Sequence, residues 1–103
     1  MIVPDTFTDA NHTKITALAT KFGLPAIYGH RFDDALITYG PDLIDLLRRA
    51  ASYVDRILRG EKPSELPVQA PTKYETVLNL TATQALGLTV PPGLLVAADE
   101  VIE

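Results

Sequence analysis

Leu43, Leu46, Leu47, Ala50, Val54, Ile57 and Leu58 recur at the three-to-four-residue spacing of a single helical stripe. Asp45, Arg48, Arg49, Ser52, Asp55, Arg56 and Arg59 fall elsewhere on the same helix, so the pattern predicts an amphipathic element that begins behind Pro41-Asp42 and stops at Gly60. Asp45 with Arg49 and Asp55 with Arg59 stand four apart in the favourable order, worth roughly 0.3–0.5 kcal/mol each. Asp42 at the start and Arg56 and Arg59 at the end complement the helix dipole. A second helix is predicted from Ile15, Leu18, Ala19 and Phe22, capped by Thr8 or Asn11 and ended by Gly23 with Pro25 just beyond.

The remaining patterns are shorter. Tyr74, Thr76, Leu78 and Leu80 alternate with Lys73, Glu75, Val77 and Asn79, the period of a strand with one wetter face. Ile2-Val3, residues 25–28 and residues 36–39 read as short strands. The first two flank the Ile15–Phe22 stripe and so form a βαβ unit, which implies parallel pairing and a right-handed crossover. Thr81 and Gln84 suggest a capping box for a short helix ending at Gly87. Pro91-Pro92 opens a final turn or two through Leu94, Leu95 and Ala97, and Val101-Ile102 can add an edge strand. The fold class is α/β: a small βαβ-containing sheet flanked by helices.

Composition narrows the function. The chain has 103 residues, the size of one domain that buries roughly two-thirds of its unfolded surface. Residues 1–103 are therefore read as a single domain, with 60–73 as a crossover loop carrying Pro63, Pro67 and Pro71. A net charge of −4 and a pI near 5.0 argue against nucleic-acid binding, which needs a cationic surface to displace counterions from phosphates. Arg48, Arg49, Arg56, Arg59 and Lys62 cluster, but Asp45, Asp55 and Glu61 interleave with them, as on a solvated face. With no cysteine, disulfides, thiolate catalysis and Cys-based zinc sites drop out. Residues 1–5 lack the basic region of a secretory signal, and no run approaches the ~20 apolar residues of a membrane span.

In open α/β sheets, ligands sit beyond the carboxyl ends of the strands. Asp5 follows the first strand, Tyr28 closes the second and Tyr39 the third. A carboxylate suits an ammonium group, and an aromatic face suits an apolar or cationic one. His12 and His30 are the only histidines. His30 with Asp33 and Asp34 matches no metal-ligand spacing. There is no nucleophile elbow, phosphate-binding glycine loop or Ser/His/Asp arrangement. No enzyme activity, cofactor or metal is expected.

The order Tyr39-Gly40-Pro41-Asp42, an amphipathic run to Gly60, and then Lys62-Pro63-Ser64-Glu65-Leu66-Pro67-Val68-Gln69-Ala70-Pro71-Thr72-Lys73 closely resembles the C-terminal part of substrate-binding proteins of ABC transporters. These are the uncharacterised or tryptophan/tyrosine-binding type with the type I periplasmic binding protein fold. The resemblance continues through residues 74–80, 85–92 and 98–103. It implies a non-catalytic solute-binding module for a small amino-acid-like ligand, with Asp5, Tyr28 and Tyr39 facing the cleft. It also implies an ABC permease as partner of the full-length protein and a periplasmic location, or a cytoplasmic one if the chain stands free. Arg31-Phe32-Asp33-Asp34-Ala35-Leu36 departs from the pattern, because the family carries a longer loop with a Gly-Gly pair there. The alternative function is a stand-alone interaction or oligomerisation domain. In isolation the chain is expected to bind solutes weakly or not at all and to self-associate as a two-fold dimer.

Overall fold

Four short strands make one sheet in the spatial order β1-β2-β3-β4, identical to their order in the chain. The computed structural model describes residues 1–103. Helices α1 (Thr6–Ala10) and α2 (His12–Lys21) precede β1 (Ile27–Tyr28) and β2 (Ile37–Pro41). The long helix α3 (Leu43–Leu58) and a 3-10 turn at Pro63–Glu65 come next, followed by β3 (Tyr74–Asn79), α4 (Leu80–Ala85), α5 (Pro92–Ala97) and β4 (Glu100–Ile102). The class is α/β, as the sequence implies.

β1 and β2 run parallel, with Ile27 opposite Ile37 and Tyr28 opposite Thr38. β3 and β4 are also parallel, with Leu78 opposite Val101. Ile2 joins by a single parallel bridge to Tyr28, so the βαβ unit inferred for the start of the chain is reduced there to one bridge in place of a first strand. β4 is the edge strand expected at Val101-Ile102. It is held by the Asp99 amide donating to the Thr76 carbonyl at 2.9 Å and by the Thr76 amide donating to the Asp99 carboxylate at 2.7 Å.

Two helix starts differ from expectation. The first helix begins at Asp5, whose carboxylate accepts from the amides of Phe7 and Thr8 at 2.7 and 2.9 Å. Thr8 is not the cap; it completes a capping box by accepting from the Asp5 amide at 3.0 Å. Asn11, one of the two caps expected, stands at the N-cap position of α2, although its side chain makes no capping bond and donates back to the Phe7 carbonyl at 2.9 Å. For α4 the cap is Asn79, whose side chain accepts from the Ala82 amide. Strand β3 passes straight into the helix, so the last strand residue takes the capping role expected of Thr81. Gly23, Gly60 and Gly87 all have positive φ, the left-handed stop that the sequence placed after three helices.

Contacts divide the chain into two compact units: residues 1–40 with 75–103, and residues 41–74. The first unit holds every buried residue, with Tyr28, Ala35, Val77 and Leu78 as its apolar centre and Thr16, Thr38, Asn79 and Thr83 around it. The second consists of α3 and the proline loop. Asp42 caps α3 by accepting from the Asp45 amide at 3.0 Å, and Lys73 reaches the same carboxylate at 2.9 Å. These bonds, that of the Asp45 amide first, hold the Asp42 carboxyl below its ordinary pKa. The loop is tied to the helix where Tyr53 donates to the Pro67 carbonyl at 2.6 Å and Arg49 donates to the Thr72 hydroxyl at 3.0 Å.

Candidate functional site at the strand ends

The first unit brings three chain segments together with almost no side chain between them. A Cβ on Gly29 would stand 2.4 Å from the Pro4 ring, and one on Gly40 would stand 2.0 Å from the Gly29 carbonyl oxygen. Neither approach is possible for a side chain, so glycine is required at both positions. The consequence is positional: Pro4-Asp5, Tyr28-Gly29-His30 and Tyr39-Gly40 lie side by side.

The three residues singled out from the sequence occupy different settings there. Asp5 is exposed, and one oxygen of its carboxylate accepts both helix-capping bonds. Tyr28 is 1% exposed. Its hydroxyl accepts from Thr16 at 3.1 Å and its ring meets the edge of Phe32, so it underlies the site. Tyr39 is 50% exposed and presents its ring at the surface.

His30 was missed as a partner of this region. Its Nδ1 lies 2.8 Å from the Asp9 carboxylate, and both side chains are about one-third exposed. It pairs with Asp9, not with Asp33 or Asp34. The two residues border a narrow crease that also touches Pro4, Tyr28 and Gly29. Asp9 lies on α1, 21 residues from His30, and no local spacing signals such a pair. Beside it, His12 stacks on Phe32 with ring centroids 4.1 Å apart. No group of three or more His, Cys, Asp or Glu side chains is placed to hold a metal ion.

The glycine-free segment 31–36 has a structural role. Arg31 forms a two-pronged bond to Glu100 at 2.6 and 2.8 Å, with Glu75 and Asp33 each 3.6 Å away. The Glu100 bond raises the Arg31 pKa, and the same bond lowers that of Glu100. The loop therefore locks the edge strand β4. The Asp33 carbonyl accepts from the Asn79 side chain at 2.8 Å, which fastens the other end of the segment to β3.

The arrangement presents a carboxylate, an imidazole–carboxylate pair and an aromatic ring at the ends of adjacent strands.

Solved structures share this architecture. A conserved domain protein from Vibrio cholerae O1 biovar El Tor superposes with a TM-score of 0.88 at 25% identity, over 96% of this chain and 34% of its own length. An ABC domain from Streptococcus pneumoniae, solved in complex with L-Trp, gives 0.83 at 22% identity, over 95% of this chain and 35% of its own. A ligand-free, open substrate-binding protein with adhesive properties from Clostridium difficile gives 0.61 at 22% identity, over 97% and 34%. The chain thus spans about a third of the length of these structures. No curated protein matches it. Residues 13–102 match the family described as ABC transporter substrate binding protein, and with the fold in agreement over nearly its whole length, the chain belongs to that family.

Proposed function

We propose that this chain supplies one wall of the solute site of an ABC-transporter substrate-binding protein, and that it binds a small amino-acid-like molecule without transforming it. The observation that carries the proposal is the backbone packing of Pro4, Gly29 and Gly40, which sets Asp5, Tyr28 and Tyr39 at neighbouring strand ends. In this reading Asp5 receives the solute ammonium, Tyr39 offers its ring to the apolar part, and the buried Tyr28 supports the floor. The Streptococcus pneumoniae neighbour holding L-Trp supports an amino-acid ligand. The partner of the whole protein is a membrane permease, and the place of work is outside the cytoplasmic membrane.

Cleft proteins enclose most of a ligand's surface, and a single wall does not, so affinity in this chain alone is expected to be weak. Titrating the isotope-labelled chain with L-Trp and other amino acids tests the proposal. Shifts at Asp5, Gly29, Tyr39 and Gly40, appearing only at millimolar solute and lost in Asp5→Asn, are expected. Silence at these amides, or responses confined elsewhere, would overturn the assignment. Reproducible turnover of any solute would overturn the non-catalytic part.

The runner-up is an interaction or oligomerisation role for the chain on its own. The observation favouring it is the apolar stripe of α3, none of whose residues is buried.

A further inference from the structure

Asp9 holds two histidines at once. Its carboxylate lies 2.8 Å from Nδ1 of His30, and its backbone carbonyl lies 2.8 Å from Nδ1 of His12. His12 stacks on Phe32, and Phe32 meets the edge of Tyr28, which precedes Gly29-His30. These contacts run from Asp9 through His12, Phe32 and Tyr28 back to His30, and all of them lie within the first unit. An imidazole fastened in this way keeps one orientation, the condition for recognising a small solute without a large ordering cost.

Carbonyl and ionised carboxylate oxygens only accept, so Nδ1 carries the proton and donates in both rings. For His30 that leaves Nε2 as the remaining polar atom of the ring. In the neutral ring Nε2 is a lone pair, which repels an anion. In the charged ring it is a second donor, and the Asp9 carboxylate balances the charge. Asp5 stands one helical turn before Asp9, with the Asp9 amide donating to the Asp5 carbonyl at 2.9 Å. Pro4 packs directly on Gly29, so Asp5 and His30, the residues that follow them, stand at neighbouring strand ends with opposite charges to offer.

We infer that His30, held by Asp9, receives the carboxylate of the amino-acid-like solute whose ammonium Asp5 receives. The inference rests on the solute site proposed above and adds a second charged contact to it, so that the wall reads both ends of a zwitterion. Asp9 acts through His30 as a positioning residue. The titratable groups around His30 are Asp9 and Asp5 on α1 and its cap, His12 at the start of α2, Tyr28 on β1, and Arg31 and Asp33 in its own loop, where Arg31 is bound to Glu100. Of these, only the histidines change charge between about pH 5 and 8.

The test compares L-Trp with tryptamine, which share an ammonium and an indole and differ in the carboxylate, followed at the amides of Gly29, His30 and Gly40. At about pH 6, L-Trp is expected to bind about tenfold more tightly, the value of one charge-assisted hydrogen bond. The preference is expected to shrink as the pH rises to about 8, where the donor at Nε2 is lost. His30→Gln is expected to abolish both the preference and its pH response, and Asp9→Asn to reduce the preference. Asp5→Asn is expected to weaken both probes alike, since asparagine still caps the helix. Equal affinity for the two probes, a preference or pH response that survives His30→Gln, or a loss in His30→Gln shared equally by both probes would overturn the inference and leave the site at Asp5 and Tyr39 standing. Silence toward both probes would remove that site and this contact together.

Discussion

The two units of this chain use hydrophobic residues in opposite ways. The first has weak, short patterns and closes a small core in which Tyr28 and Leu78 are fully enclosed. The second holds the strongest amphipathic helix in the chain, yet no residue of α3 is buried. A periodic stripe therefore reports that a helix forms and which side is apolar, but not what covers that side. Burial was decided by which strands converge, not by the regularity of the pattern.

The largest expected effect is the one that tests this contrast most directly. Leu78→Ala removes a fully enclosed side chain and is expected to cost ~2–5 kcal/mol of unfolding free energy. Leu47→Ala, measured by denaturant titration in a dilute, monomeric sample, is expected to change stability by less than ~0.5 kcal/mol. Equal losses at the two positions would show that α3 has an internal cover and would break the comparison.

The next effect concerns the strand ends. Gly40→Ala places a methyl against the Gly29 carbonyl and is expected to cost ~1–3 kcal/mol through forced backbone movement, read as a lowered denaturation midpoint. Gly93→Ala, where nothing stands in the way, serves as the control and should leave the midpoint within error. Tyr28→Phe sits close behind: it removes the acceptor of the Thr16 hydroxyl and leaves that buried donor without a partner, a loss of ~1–3 kcal/mol. Thr16→Val in the same background should recover part of that loss, and a failure to recover would remove the hydrogen bond from the account.

The smallest effect is a pH dependence at β4. Glu100 is held below its ordinary pKa by the Arg31 bond. A depressed carboxyl contributes stability above its unfolded value, about 4.3, and loses it as pH falls through the lower folded value. Arg31 is shifted upward by the same bond, so its charge persists across the acid range and only carboxylates titrate, with Glu75 and Asp33 also facing it. Protection of the amides of residues 100–102, relative to their intrinsic exchange at each pH, is expected to fall as pH drops below the unfolded carboxyl value of about 4.3, and Glu100→Gln should flatten that response. Unchanged exchange in the parent chain would show that the ion pair does not hold the strand.

Much of the local structure was legible in the residues alone. The helix from Asp42 to Gly60, the glycine stops at 23, 60 and 87, the strand at 74–79 and the proline-started α5 follow from periodicity and backbone chemistry, which act within a few neighbours. The cap of α4 was placed at Thr81 and not at Asn79, and the separate helix α1 ahead of Asn11 was not read, because several short polar residues stood in reach of each helix start and their local preferences are nearly equal. Of the candidate site, the positions Asp5, Tyr28 and Tyr39 came from their places after strands. Their settings did not, because exposure depends on what the rest of the chain packs against them.

By itself the sequence determined the elements, their order and the family, since these rest on local spacing and on an ordered set of motifs. Only the tertiary structure decided that Tyr28 lies in the core, that His30 pairs with Asp9 and that Arg31 clamps β4. Each of these joins residues far apart in the chain. None of them leaves a periodic trace, because the free energy that selects them comes from packing and charge across the fold.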